Sequence, residues 1–194
     1  VANEPGVIAL TYGVDYWDYL GWPDTFAKPE FAARQQAYRQ ALKLRNVSTP
    51  QVVIDGRRHL SGARSPELQA AIDAEAAARL HPPEIEFRET GDRVGVGSGR
   101  PPVGGAEVMA VVYQPGLQTV EVRQGDNRGQ AVRHVNVVRD VKRLGDWTGR
   151  PVLFVLPPDS ASEDNVVVLV QAKTDRRILS AARRAERGAE PARD

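Results

Sequence analysis

At His81-Pro82-Pro83 the spacing of apolar residues changes, and this change constrains the chain more than any other feature. Before it, two stretches carry helical spacing; after it, apolar residues come in short runs cut by Gly, Pro and Asp clusters. Glu84 to Glu89, Val94 to Gly97, Glu107 to Tyr113, Thr119 to Arg123, Val132 to Val138, Val152 to Leu156 and Val166 to Gln171 read as strands. That rhythm is the signature of a β-sandwich or barrel-like unit. Arg139 to Trp147 reads as irregular or as a short helical piece, and Asp126-Asn127-Arg128-Gly129 as a turn.

Upstream, Val7 to Val14 is an apolar, β-branched run behind the Pro5-Gly6 break and reads as a buried strand. Asp15 to Asp24 is too aromatic for an ordinary solvated loop and is taken as an ordered connection. Between Pro29 and Leu44, Phe31, Gln35, Tyr38 and Leu42 fall near one helical face, and Pro29 suits a first turn. Gln51 to Ile54 and His59 to Ser61 flank Asp55-Gly56, a strong hairpin signal. Ser65-Pro66-Glu67 opens a second helix that runs to about Arg79 or Leu80. The expected domains are 1–80, 84–182 and a charged tail over 183–194. The short connection at 81–83 implies that the two halves pack together.

Composition excludes several function classes. With 26 Lys and Arg against 25 Asp and Glu in 194 residues, the formal charge of +1 gives no global attraction for nucleic acid. No apolar run approaches the roughly 20 residues needed to span a bilayer, so no membrane insertion is expected. The chain has no cysteine, so it cannot itself carry out dithiol–disulfide exchange or hold a thiolate metal site. His59, His81 and His134 are dispersed without metal-ligand spacing, and no metal or cofactor is expected. The segment GVGSGRPPVGG lacks the Gly-Lys-Ser/Thr and helix of a phosphate loop, and reads as a flexible loop between strands. No Ser stands in a nucleophile elbow, and no catalytic residue is assigned.

The order strand, helix, X-Pro-strand, Asp-Gly hairpin, strand, helix resembles the C-terminal part of a thioredoxin fold. GVDYWDYLGWPDTFAKPEFAARQQAY, STPQVVIDGR, GDNRGQAVRHVNVVRDVKRLGDWTGR and VVVLVQ resemble, in order, the bacterial domain of unknown function 1223 family, from about Val7 to Ala182. Such proteins are generally exported, with a thioredoxin-like domain before a β-rich one and no established biochemical function. The resemblance implies a mixed α/β chain: a truncated thioredoxin-like domain followed by a β-rich, sandwich-like C-terminal domain. It also implies a periplasmic or secreted setting. The family's opening strand, Cys-x-x-Cys and first helix would lie before Val1, and Gly13 stands where histidine is expected. A strand and helix upstream of Val1 are therefore expected in the native protein.

By the same resemblance Thr49-Pro50 is the cis-proline step at the edge where ligands approach such sheets. The implied site is a groove bounded by Asp15, Tyr16, Trp17, Asp18, Thr49, Pro50 and Gln51, open to an extended peptide or protein partner through backbone hydrogen bonds. For each residue there is a plainer role. Asp15 and Asp18 suit turn and helix capping, and the aromatic residues suit packing. Two functions follow: a non-catalytic peptide-binding or structural module, or a fragment of a cell-envelope thiol–disulfide oxidoreductase whose cysteines lie upstream of Val1.

Overall fold

A computed structural model describes residues 2, 4–15, 24–61, 65–122, 128–158 and 163–185. The fold is mixed α/β with a β-rich C-terminal region. Helix α1 (Pro29–Ala41) is followed by the hairpin strands β1 (Gln51–Ile54) and β2 (Arg58–Ser61), then by α2 (Ser65–Ala78). Strands β3 (Ile85–Phe87), β4 (Arg93–Val96), β5 (Ala106–Glu121), β6 (Ala131–Trp147), β7 (Val152–Val155), β8 (Asn165–Ala172) and β9 (Ile178–Arg183) complete it. They form an antiparallel sheet in the order β6-β5-β8-β9 and a smaller one in the order β3-β4-β7.

The alternation of side chains along β5 and β8 explains the layering, because residues two apart share a face. Val108, Ala110 and Val112 of β5 and Val166, Val168 and Val170 of β8 pack with Val94, Val96, Trp147 and Leu156 in one core between the two sheets. On the opposite face, Val111, Tyr113, Val167 and Leu169 meet Phe31 of α1, with Ile8, Leu10 and Tyr12 alongside. Every residue of β8 is buried, so the run NVVVLVQA is continuous instead of alternating. Trp147 closes the first core: it is 1% exposed and donates its indole N–H to the Gly97 carbonyl at 2.9 Å.

The elements differ from the sequence reading in four places. Val7 to Val14 is not a strand and does not pair with β1; it is an extended segment with isolated parallel bridges from Thr11 to Val137 and from Gly13 to Ala27. Pro115-Gly116 does not end a strand but makes a bulge within β5, and so joins the two runs read separately. Arg139 to Trp147 continues β6, its half-exposed alternation being that of a sheet-edge strand. Strand β9 was not anticipated, because its Ile-Leu-Ser-Ala-Ala-Arg run is short and offers little apolar bulk.

Asn136 holds the N-terminal segment to the sheet. Its backbone sits at φ +53, its Oδ1 accepts the Gly116 N–H at 3.0 Å, and its Nδ2 donates to the Ala9 carbonyl at 2.9 Å. The Thr11 N–H bonds the Asn136 carbonyl at 3.0 Å and the Val138 N–H bonds the Thr11 carbonyl at 2.9 Å, so one bulge fixes both neighbours. Asn136→Ala removes two side-chain bonds and leaves at the left-handed φ a residue without the polar side chain that lets Asn adopt it. The expected loss is about 1–3 kcal/mol by urea unfolding, with only part restored by Asn136→Gly.

At the surface, Lys173 Nζ lies 2.7 Å from Asp146, which Arg143 also contacts. The Lys173 hydrogen bond holds the Asp146 carboxyl below its ordinary 3.8, with the charges of Lys173 and Arg143 adding to it. A lowered folded value means that the contribution is present above the unfolded pKa and lost as pH falls through the folded one. Exposure and salt keep the effect small. In Lys173→Ala, a carboxyl-detected NMR titration should show Asp146 moving back toward 3.8.

Candidate functional site

The hairpin β1-β2 is built by local chemistry. Asp55 at φ +48 and Gly56 at φ +66 make the turn, and the strands pair from Gln51 with Ser61 to Ile54 with Arg58. Helix α2 and the residue after it bracket it: Arg58 pairs with Glu75 of α2 at 3.1 Å, and Arg79, just past the helix end, pairs with Asp55. The tip is docked against the β8–β9 turn, where the Ile178 N–H bonds the Asp55 carbonyl at 2.8 Å. A β-carbon on Gly56 would lie 2.2 Å from the Arg176 carbonyl oxygen.

The approach to β1 carries three of the residues expected at the site. The Thr49-Pro50 peptide bond is cis, as the resemblance implied, and both residues are exposed. Gln51 is half-buried; its Oε1 accepts from Gln35 Nε2 of α1 at 2.8 Å, and the same nitrogen donates to the Ser48 carbonyl at 3.1 Å. Helix α1 thus sets the course of the chain into β1. Gln51 Nε2 is buried without a partner among the described residues.

Asp15 is half-buried at the end of the extended segment, and no hydrogen bond joins it to Thr49, Pro50 or Gln51 among the described residues. Tyr16, Trp17 and Asp18, also expected at the groove, lie outside the described residues. Gly13, two residues before Asp15, leaves no room for a side chain: a β-carbon there would meet the Ala27 nitrogen at 2.9 Å. The 24–27 segment that crowds it is held by Phe26, whose ring lies 5.8 Å from His134 and under the Arg139 guanidinium at 5.2 Å.

Sequence reasoning missed a second polar cluster, on the inner side of α1. Phe31, Arg34 and Tyr38 are spaced i, i+3, i+7, so they share the stripe that faces β8. Arg34 Nη2 donates to the Tyr38 hydroxyl at 3.0 Å and to Gln171 Oε1 at 2.8 Å. Its guanidinium lies 5.1 Å from the Tyr38 ring centre and 5.8 Å from that of Tyr12. Burial pushes both tyrosine hydroxyls above their ordinary 10.0, while Arg34 pulls the other way. Both therefore remain neutral donors and acceptors near pH 7. Among the described residues no three His, Asp or Glu side chains gather as metal ligands, and no helix is long and apolar enough to cross a membrane.

No curated protein matches the chain. It is similar to the crystal structure of protein AGR_C_4864 from Agrobacterium tumefaciens, with 31% identity and a TM-score of 0.71 over 90% of this chain and 78% of that one. The family model described as "Protein of unknown function (DUF1223)" matches residues 1–171. The match spans the extended segment, the hairpin and most of the sandwich, and the chain belongs to that family.

Proposed function

We propose that the chain is a non-catalytic polypeptide-binding module that takes an extended segment along the outer edge of β1, beside Thr49 and Pro50. One observation carries this reading: among the described residues Gln51–Ile54 has a partner strand on one side only, in a sheet of two strands. Outward-facing N–H and C=O groups on such an edge are a template for strand addition, and a lone hairpin gains stability from a third strand. β1 is favoured over β2 because all four of its residues are half-buried, whereas β2 is exposed at both ends. β1 is thus the less solvent-exposed of the two strands. The setting we infer is the periplasm or cell exterior, supported by the family resemblance alone.

Calorimetry with an end-blocked Thr/Val/Lys heptapeptide tests this reading. Binding to the full chain should be at least about tenfold tighter than for the same peptide N-methylated at alternate residues, because methylation removes the ladder donors. Equal affinities, or no heat with either peptide, would overturn the reading.

A further inference from the structure

The cluster beneath α1 is unbalanced in a way that packing does not explain. Arg34 is half-buried and has no ion-pair partner among the described residues, although a guanidinium carries its charge at every physiological pH. Gln171, on the β8 face that α1 covers, is 0% exposed. Its Oε1 is taken by Arg34, and its Nε2 has no hydrogen-bond partner among the described residues. A buried amide left half-paired is costly to the fold unless something takes up its free N–H. The Tyr38 hydroxyl, which accepts from Arg34, keeps its own O–H to give. Three donors are thus available: guanidinium N–H, amide N–H and phenol O–H.

We propose that Arg34, Tyr38 and Gln171 form a binding site for a single carboxylate group, with Tyr12 as its wall. A group that accepts only and carries one negative charge suits three available donors beside one guanidinium charge that no carboxylate pairs among the described residues. A phosphate dianion would exceed the charge that Arg34 supplies. Asp55, an acid whose charge bears on Tyr38, is held by Arg79 and does not pair with Arg34. Arg176, whose charge also bears on Tyr38, adds positive potential from the β8–β9 turn. Tyr12 and Arg34 are half-buried, and Tyr38 and Gln171 are buried. It is separate from the β1 edge and does not depend on peptide binding there.

The carboxylate has two sources, a small organic acid or the C-terminus of a peptide, and the test separates them. The 15N-labelled full chain is titrated with sodium acetate, and with sodium chloride at matched ionic strength, following the Gln171 side-chain amide and Arg34 Nε. Acetate should give saturating shifts at both groups that chloride does not. Arg34→Met should weaken acetate binding at least tenfold, as should Gln171→Leu if Arg34→Met fails to fold. Acetyl-Ala-Ala binding at least tenfold tighter than acetate, with its amide silent, assigns a peptide terminus; equal affinity assigns a small acid. Shifts that match those of chloride, that do not saturate, or that persist unchanged in the folded variants would overturn the site.

Discussion

Trp147→Ala should be the most damaging single substitution in the β-rich region, costing about 3–5 kcal/mol and lowering Tm by roughly 10 °C. Trp147 is 1% exposed in the core between the two sheets, and its ring packs 3.1 Å from where a β-carbon on Gly99 would sit. Removal leaves a cavity lined by residues of β4 and β5, strands already paired on both sides and poorly able to collapse. It also leaves the Gly97 carbonyl without its indole donor. Trp147→Phe keeps most of the volume but not the N–H, so it should cost about 1–2 kcal/mol. Urea unfolding of both variants checks the split between cavity and hydrogen bond; equal losses would contradict it.

Gly56→Ala should undock the hairpin tip at a cost of at least about 2 kcal/mol. The new methyl meets the Arg176 carbonyl oxygen at 2.2 Å, and both sides of that contact are backbone, so no rotamer relieves it. The left-handed φ of +66 adds about 1–2 kcal/mol for any β-carbon. Gly129→Ala separates the two contributions, because Gly129 also has positive φ but nothing within 4 Å of an added β-carbon. It should show the backbone cost alone. Faster hydrogen exchange of the Ile178 amide, which bonds Asp55 across the contact, should appear in Gly56→Ala and not in Gly129→Ala.

The elements legible in the sequence were those whose periodicity lies in one environment. Pro29 at the start of α1, Asp55-Gly56 between two extended runs, and the continuous Val run of β8 each admit one local solution. Where tertiary context reversed a local signal, the reading failed. Pro115-Gly116 carries the composition of a turn, but the Gly116 N–H finds Asn136 across the sheet, and β5 runs on. Val7 to Val14 carries the composition of a strand, but the ladder stops at Thr11 because Asn136 bulges opposite it and Gly13 turns to bridge Ala27. The approach to β1 at Thr49 and Pro50 was reached through the family resemblance and not through residue pattern. The Arg34 cluster was missed because a charged residue on a helix stripe is ordinarily assigned to solvent. Its one visible sign was the polar Gln171 ending an apolar run on the strand that α1 covers.

Backbone hydrogen exchange of Gln51–Ile54, measured in the full chain with and without the end-blocked heptapeptide, tests peptide docking on β1 most directly. Amides that face β2 should be protected in both states, and those that face outward should exchange fast alone and slow at least tenfold with peptide. Outward amides already protected without peptide, or unchanged at saturating peptide, would show that β1 is not a docking edge.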